Sequence, residues 1–464
     1  LCRACQALKV DFSEAFSRIA GASVTTQRGT FLCVDEKGVA LRPAIVWLDQ
    51  RQVEPPPMTT IAGKGMERIT RLLGERKTLD YVRKNAESNW IRVHEPHIWS
   101  RTHKVLTLAG YLTRRLVGHF VDSVACQVGF FPFDYKALQW PDHYNWRCDA
   151  MGISLDKLPK LIKPGRPLGR ITAKAAKDSG LPQGLTLFAS GGDKACEVLG
   201  SGCLESDVAC LSYGTTATIN TTTRKYFEPI PLLPSYPAAL PDAYTTEISI
   251  YRGYWMVSWF KNEFGLFERQ KANETGVRAE ALFEGLLHRT PPGADGLILQ
   301  PYWSPGIRTP GPEAKGAIIG FSEVHTRAHV YRAMLEGIAY GLREGGAHIE
   351  KKSGVKIRKL VVSGGGAQSD AALQLTADIF NLVTERPHTF ETSGLGAAIN
   401  AAVGLGLHQT YQSALAAMTR TETVFHPNPA NVSIYDAIYR QVYRPMYERL
   451  KPLYLALSHL GLGR

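Results

Sequence analysis

The stretches Ser190-Gly-Gly-Asp-Lys-Ala-Cys196 and Leu211-Ser-Tyr-Gly-Thr-Thr-Ala-Thr218 decide the fold of this chain. Each follows a short apolar run, at 185–188 and 208–211. A glycine turn directly after a strand places a side chain or a row of backbone N–H groups at the strand end, where ligands bind. The first stretch offers a carboxylate, Asp193, and the second offers amides and hydroxyls suited to phosphate. Together they indicate phosphoryl transfer to a hydroxyl.

Length and composition set the class of protein. The chain has 464 residues, enough for two or three domains, and its 44% hydrophobic content supports full cores. No apolar run approaches the ~18 residues of a membrane helix, and residues 1–10 lack the layout of a signal peptide. We therefore expect a cytoplasmic protein with no membrane partner.

The cysteines do not indicate a metal centre. Of eight cysteines, only Cys2 and Cys5 form a C-x-x-C pair, and no second pair completes a zinc site. Reduced thiols are the favoured interpretation. The sequence therefore predicts no metal site built from protein ligands alone.

The net charge is +12, from 54 basic and 42 acidic residues, and favours anionic partners such as nucleotides. The densest basic run, Lys351–Lys359, falls at a predicted helix end, where a solvated surface is the favoured interpretation. No zinc-finger spacing, aromatic RNA-binding signature or basic arm accompanies it. Nucleic acid is therefore not an expected partner.

Strands alternate with helical patterns in both halves of the chain. The strand-then-glycine pattern occurs twice, as Phe188-Ala-Ser-Gly-Gly-Asp193 and as Val361-Val-Ser-Gly-Gly-Gly366. This alternation predicts the α/β class, with two domains at residues 1–203 and 204–464. We expect the ligands to bind in the cleft between them.

A strand–loop–strand pair is predicted near the start of the chain. The runs Thr30–Val34 and Ala44–Leu48 flank the turn Asp35–Gly38. The sequence therefore predicts a strand in each of these two runs.

Two short motifs allow both a catalytic and a structural interpretation. Asp193 stands after two glycines and a strand, where a carboxylate could take the proton of an attacking hydroxyl, or could instead cap the helix predicted at 194–200. Gly214, Thr215 and Thr216 could hold phosphates through N–H and hydroxyl groups, or could form a plain hairpin turn. The local sequence leaves both alternatives open.

Two further sets are candidates for ligand binding. Gly364-Gly-Gly-Ala367 lies between a buried strand and a helix, so a ligand could approach the backbone there, although a tight turn explains it equally well. Polar groups beside an indole suit a sugar or polyol, and an ordinary buried tryptophan is the alternative. That second set comprises Gln27, Arg28, Trp47, Asp49 and Arg51.

These motifs occur in the order found in one known family, and the chain resembles the FGGY family of carbohydrate kinases from about residue 19 to its end. The resemblance rests on eight segments: Val24–Thr30, Pro43–Arg51, Gly191–Lys194, Tyr213–Thr216, Lys315–Phe321, His325–Glu336, Ser363–Asp370 and Gly394–Ala398.

The resemblance implies two ribonuclease-H-like domains of the actin and hexokinase type, which flank a catalytic cleft. It implies ATP and Mg²⁺ as cofactors, a carbohydrate as partner, and a possible homodimer. Asp193 is the implied general base, and Gly214, Thr215 and Thr216 would meet the transferring phosphates. The implied sugar pocket contains Gln27, Arg28, Trp47, Asp49 and Lys194. The implied adenosine site contains Gly253, Gly364, Gly365, Gly366 and Ala367.

The chain departs from the family pattern in two respects. Gly29 stands where glycerol kinases have Glu, and Gln27-Arg28 does not match the Met-His of xylulokinases. The family's Asp-x-Gly-Thr motif does not precede Ile19, so we expect the first strands of the N-terminal domain to be missing. A catalytically impaired or regulatory binding protein is therefore the alternative to an active kinase.

Overall fold

The computed structural model describes residues 1–142, 145–230, 233–304, 306 and 310–461. The strands are β1 (Gly21–Ser23), β2 (Leu32–Val34), β3 (Lys104–Leu106), β4 (Val121–Ser123), β5 (Lys160–Ile162), β6 (Pro167–Arg170), β7 (Thr186–Phe188), β8 (Val208–Tyr213), β9 (Ala217–Thr223), β10 (Tyr236–Pro237), β11 (Tyr244–Ile250), β12 (Ile298–Gln300), β13 (Ala317–Ile319), β14 (Lys359–Ser363), β15 (Val383–Pro387) and β16 (Thr421–Phe425).

The helices are α1 (Cys2–Asp11), α2 (Ser13–Ser17), α3 (Ile61–Leu72), α4 (Arg76–Asn85), α5 (Glu87–His94), α6 (Pro96–Arg101), α7 (Leu108–Val117), α8 (Trp146–Met151), α9 (Ala173–Ser179), α10 (Asp193–Gly200), α11 (Trp255–Phe264), α12 (Leu266–Thr275), α13 (Ala279–Leu282), α14 (Glu284–Leu287), α15 (Arg327–Ser353), α16 (Asp370–Phe380), α17 (Thr392–Gly404), α18 (Tyr411–Met418), α19 (Pro429–Ile438) and α20 (Arg444–His459). Within these ranges, no helix is both long enough and apolar enough to cross a membrane.

The N-terminal half is built around a small mixed sheet in the order β1-β7-β6. The central strand β7 runs parallel to β1 and antiparallel to β6. Leu187, Leu116 and Ile171 form part of the core beside this sheet. Thr107 and Thr172 start the covering helices α7 and α9 by accepting a hydrogen bond from a first-turn N–H, which satisfies a donor that has no partner inside the helix.

Of the two strands predicted at residues 30–34 and 44–48, the first forms as β2 and the second does not form. Strand β2 pairs antiparallel with β3, whereas residues 44–48 contribute one antiparallel bridge, in which Phe31 and Ile45 exchange backbone hydrogen bonds at 2.8 and 3.1 Å. Ile45 is buried, but Val46, Trp47 and Leu48 are exposed. The run at 44–48 therefore leaves the sheet after Ile45, because its following side chains face solvent.

The C-terminal half contains a seven-stranded sheet in the order β10-β11-β9-β8-β14-β15-β16. Strands β8, β14 and β15 run parallel, and the remaining neighbours pair antiparallel. The 27-residue helix α15 lies across this sheet and begins with a capping box formed by Thr326 and His329. Two α/β halves are thus present, which confirms the predicted fold class. A domain boundary at residue 203 stays a prediction.

Helices α10 and α17 join the two halves by direct backbone contact. Strand pairing ties the start of α10 to the N-terminal half, since Gly191 bridges Ala125, whereas α17 follows strand β15 of the large sheet. A Cβ atom on Gly200 would lie 2.0 Å from the carbonyl oxygen of Thr392, and one on Gly396 would lie 2.0 Å from that of Cys196. The absence of side chains at both glycines therefore allows this crossing. The crossing holds the first residue of α10, Asp193, beside the large sheet.

Candidate active site

Asp193 begins helix α10 at the edge of the cleft. Its backbone N–H donates to the carbonyl of Thr26 at 2.8 Å, and its Oδ1 accepts from the N–H of Lys194 at 2.8 Å. The side chain remains 42% exposed and lines a cavity. Helix α10 begins at Asp193 itself, with Gly192 at the N-cap and no side-chain capping hydrogen bond. Asp193 therefore does not cap the helix, and its carboxylate faces a space where a ligand could bind.

The cavity beside Asp193, here called the Asp193 cavity, has a volume of about 470 Å³. The two halves of the chain contribute its walls together. The N-terminal half contributes Gln27, Arg28, Gly29, Trp47, Val128, Asp193 and Lys194. The C-terminal half contributes Gly214, Thr215, Thr216, Thr218, Tyr236, Glu247, Ser249 and Tyr251.

Arg28 links carboxylates from the two halves across this cavity. Its Nη2 lies 3.0 Å from Oε2 of Glu247, and its Nε lies 3.8 Å from Oδ1 of Asp193. The guanidinium also stands 5.4 Å from the ring centre of Tyr236. Burial alone would lower the pKa of Arg28, but the carboxylate of Glu247 outweighs it and raises the pKa above its ordinary value. Arg28 is therefore a fixed positive charge.

Lys194 also connects the halves, although its amine is already bound by protein groups. Its Nζ donates to Oε2 of Glu197 at 2.8 Å and to the hydroxyl of Ser212 on β8. Glu197 in turn accepts from the hydroxyl of Ser363 on β14 at 2.6 Å. The Lys194 charge thus lies in the cavity wall next to the Gly214 loop.

The other predicted sugar-pocket residues differ in placement. Trp47 and Gln27 line the Asp193 cavity, and the amide of Gln27 donates to the hydroxyl of Thr30 at 2.9 Å. Asp49 is not among the residues that line it, because its carboxylate is paired with Arg51 at 2.7 and 2.8 Å. A sugar-binding role of Asp49 stays a prediction that this placement does not support.

A second cavity, here called the Tyr254 cavity, also has a volume of about 470 Å³. Its walls come from the end of β8, from α11, α13, α14, α15 and α16, and from the Gly365 turn. They comprise Tyr213, Gly214, Thr215, Tyr254, Trp255, Val257, Ser258, Arg278, Glu280, Ala281, Glu284, Tyr331, Leu335, Gly365, Gly366, Gln368, Ser369 and Ala372. Gly214 and Thr215 line both cavities. The two cavities therefore adjoin at this loop.

The glycines of the turn at Gly364–Gly366, beside the Tyr254 cavity, allow the close approach of backbone and rings. Gly364 has φ = +85°, and a Cβ there would lie 3.0 Å from the backbone of Tyr213. A Cβ on Gly366 would lie 2.3 Å from the ring of Tyr254, which itself stacks on Tyr213 at 4.4 Å. Any side chain at these two positions would fill the wall of the cavity or break the turn.

Not every predicted nucleotide residue borders this second cavity. Gly365 and Gly366 do, whereas Gly364 supports the turn and Ala367 is fully buried. Thr216 lines the Asp193 cavity. Gly253 packs behind the loop, where a Cβ would lie 2.3 Å from that of Ala217. Nucleotide binding by these residues stays a prediction.

The sequence interpretation missed the wall that strand β11 contributes. Glu247, Ser249 and the following Tyr251 line the Asp193 cavity. Burial raises the pKa of Tyr251 to about 12, so its phenol is a neutral hydrogen-bond donor. No glycine turn or sequence motif precedes these residues. The local signal was their spacing at every second position, which places side chains on the same face of a strand.

Two adjoining cavities, with a carboxylate in one and a small glycine–threonine loop between them, suit the transfer of a group between two bound molecules. The phosphotransferases that act across an interdomain cleft have this architecture. The comparisons with known proteins agree: residues 2–200 match the N-terminal domain, and residues 209–405 the C-terminal domain, of the "FGGY family of carbohydrate kinases". The chain belongs to this family and is a carbohydrate kinase, a phosphotransferase that binds a sugar and ATP.

Individual relatives cover nearly the whole chain. A xylulose kinase of Staphylococcus epidermidis is 32% identical over 447 residues, covering 94% of this chain and 84% of that protein. A xylulose kinase of Lactococcus lactis is 30% identical over 453 residues, covering 95% and 85%. The crystal structure of xylulose kinase from Rhodospirillum rubrum superposes with a TM-score of 0.79 at 25% identity, covering 98% and 89%. The two-domain actin and hexokinase type of fold is thereby confirmed.

Proposed function

We propose that this protein transfers the γ-phosphoryl group of Mg-ATP to a hydroxyl of a sugar, ketose, polyol or sugar acid, with Asp193 as the general base. The observation that carries the proposal is the junction of the two cavities at Gly214 and Thr215, with the Asp193 carboxylate on one side only. The acceptor would bind in the Asp193 cavity and the nucleotide in the Tyr254 cavity.

The residues of the chain account for each part of the transfer. Asp193 accepts the proton of the attacking hydroxyl as its oxygen bonds to the γ-phosphorus. The bond to the β–γ bridging oxygen breaks, and ADP leaves with that electron pair. The N–H groups of Gly214 and Thr215 are suited to hold the transferring phosphoryl oxygens at the junction. Lys194 and Arg28 supply fixed positive charge around the same space.

The residues present also fit Mg²⁺ in a nucleotide complex. Magnesium is commonly held by substrate phosphates, waters and one or two carboxylates rather than by an all-protein cage. Across the part of the chain that the structure describes, no cluster of three or more His, Cys, Asp and Glu side chains could hold a metal. The carboxylates of Asp193 and Glu247 line the Asp193 cavity, and those of Glu280 and Glu284 line the Tyr254 cavity. The ion would neutralise the phosphate charge, and the protein would position the acceptor and the nucleotide.

The catalytically impaired alternative has no observation in the described residues that favours it. The relatives named xylulose kinase make xylulose the first acceptor to assay, followed by a panel of other ketoses, polyols and sugar acids. ADP release should depend on both ATP and one acceptor, and a phosphorylated acceptor should appear in equal amount. ATP hydrolysis without any phosphorylated acceptor across the panel would contradict the proposal.

A further inference from the structure

The carboxylate of Glu247 is bound to Arg28 across the join between the two halves. Both of its oxygens lie close to Nη2 of Arg28, Oε1 at 3.1 Å and Oε2 at 3.0 Å. Oε1 also accepts from the hydroxyl of Ser249 at 3.3 Å. The side chain is only 10% exposed, and Oε2 is fully buried. Glu247 therefore serves Arg28 and has little surface with which to contact a ligand.

Arg28 lies in the irregular segment between β1 and β2, whereas the groups that hold its guanidinium belong to the C-terminal half. Its aliphatic part crosses Gly192, where a Cβ would lie 2.8 Å from Cγ of Arg28. The guanidinium then contacts the ring of Tyr236 and the carboxylate of Glu247. Glu247 pairs with Asn220 in the middle of the β9–β11 ladder, so the large sheet fixes its position.

The guanidinium of Arg28 keeps donors for a ligand. It donates to Glu247 through Nη2, whereas no hydrogen bond between described residues uses its Nε or Nη1. Nε lies 3.8 Å from Oδ1 of Asp193, which is an ion-pair distance but too long for a hydrogen bond. Arg28 also lines the Asp193 cavity, with 21% of its side chain exposed. An acceptor oxygen beside Asp193 is a group to which these N–H groups could donate.

We infer that Glu247 is a positioning residue, which from the opposite half of the chain holds the guanidinium of Arg28 beside Asp193, where Arg28 contacts the acceptor. The inference rests on the proposed transfer reaction and adds to it a residue that acts through another. A largely buried guanidinium without a charged partner is strongly disfavoured, so removal of the Glu247 charge should release Arg28 from this position. Acceptor binding by a loop of one half thus depends on a strand of the other.

The first test is a double-mutant cycle on Glu247→Gln and Arg28→Gln, assayed with Mg-ATP and xylulose, or with the panel member of highest turnover if xylulose is not used. Glu247→Gln should lower kcat/KM for the acceptor about tenfold or more, because a shift of about 1 Å in a contacting group is costly. In the Arg28→Gln background the same change should have less than about a twofold effect. KM for ATP should not change, because neither residue lines the Tyr254 cavity.

Lys163 and Asp242 provide the matched control, because their ion pair also joins the two halves but lies outside the Asp193 cavity. Nζ and Oδ1 are 2.7 Å apart, and the side chains are 59% and 66% exposed. Asp242→Asn should leave kcat/KM unchanged, and asparagine suits the positive φ of this position. An equal loss in Asp242→Asn and Glu247→Gln would overturn the inference, because Glu247 would then only join the halves. An equal effect of Glu247→Gln in both backgrounds would overturn it as well.

A chemical measurement reports the position of Arg28 without turnover. Phenylglyoxal modifies guanidinium groups, and peptide mass spectrometry locates the modified residue. Arg28 should react about tenfold or more faster in Glu247→Gln than in the wild type, because its hydrogen bond to a charged group is lost. Unchanged labelling would overturn the inference and leave the kinase reaction standing. Faster labelling without phosphorylation of any acceptor by the wild type would support the positioning of Arg28 and contradict the reaction.

A second variant covers the case in which Glu247→Gln melts below the assay temperature. Glu247→Asp keeps the charge and withdraws the carboxylate from Arg28 by one methylene group. Arg28 should then react faster with phenylglyoxal than in the wild type, and kcat/KM for the acceptor should fall. Wild-type values of both quantities in Glu247→Asp would overturn the inference.

Discussion

The glycine-to-glycine crossing of α10 and α17 provides a quantitative test of how the two halves are joined. Gly396→Ala would place a Cβ 2.0 Å from the carbonyl oxygen of Cys196, where ordinary contact begins at 3.4 Å. The atoms that the new Cβ would meet are the backbone oxygen, carbonyl carbon and Cα of Cys196 in α10, so no flexible side chain can move aside. The helices must separate, and the separation includes the start of α10 with Asp193.

The expected loss of stability follows from two opposing effects. Forced overpacking costs typically about 1–3 kcal/mol, whereas Ala is favoured over Gly inside a helix by roughly 0.5–1 kcal/mol. Gly396→Ala should therefore be up to about 2.5 kcal/mol less stable than the wild type. Gly65→Ala is the matched control, because Gly65 lies inside α3 with no atom within 4 Å of the added Cβ. It should be about 0.5–1 kcal/mol more stable.

Urea denaturation, monitored by fluorescence, measures the free energy of unfolding of each variant. Steady-state ADP release measures the activity. A shift of catalytic groups by about 1 Å can cost on the order of 100-fold in rate, so kcat of Gly396→Ala should fall at least about tenfold while that of Gly65→Ala stays unchanged. If the Gly396→Ala protein were as stable and as active as Gly65→Ala, the reasoning would be refuted, because the crossing of α10 and α17 would then accept an added Cβ atom without cost.

Three further predictions follow from the site and its surroundings. Lys194→Met should lower stability by about 3–5 kcal/mol, because Glu197 is left buried without its cation, and Glu197→Leu in the same chain should restore part of this loss in urea denaturation. Burial raises the pKa of Asp122 from 3.8 to about 6, so the folded protein keeps a proton that the unfolded chain releases, and stability should fall as the pH rises from about 4 through 6. Asp122→Asn should flatten this fall by up to about 3 kcal/mol in denaturation curves taken across that pH range, and an unchanged slope would contradict the assignment. Chelation of Mg²⁺ should abolish phosphorylation reversibly and leave the melting temperature of the nucleotide-free protein unchanged; a lower melting temperature would indicate a metal site in the protein itself.

Local sequence signals could predict the parts of the site that lie in glycine turns. Gly214 follows β8 directly, and Asp193 follows β7 after four residues that include Gly191 and Gly192; a strand end followed by glycine has few structural outcomes. The placement of both at the cleft agrees with that prediction. The α/β class was predictable because strands and helices occur in both halves, although α3–α6 and β8–β11 are runs of one type without alternation.

Contacts between distant residues were not predictable in this way. Glu247 reaches Arg28 across 219 positions of the chain through the register of β9 and β11, and no short pattern encodes that register. Asp49 stands in a predicted polar set, but its neighbour Arg51 occupies its carboxylate, which composition alone cannot show. Strand β2 likewise forms its ladder with the distant β3, whereas the nearer run at 44–48 contributes only one bridge.

The most direct test of the central claim is a comparison of Asp193→Asn with the wild-type protein, with Asp178→Asn as an exposed control on α9. Phosphorylated acceptor is measured with Mg-ATP, and binding of acceptor and nucleotide is measured separately by calorimetry. A general base contributes roughly 10²–10⁴ in rate, so turnover should fall by that factor while both binding constants stay within about twofold. Turnover within about threefold of the wild type would contradict the assignment of Asp193 as the base.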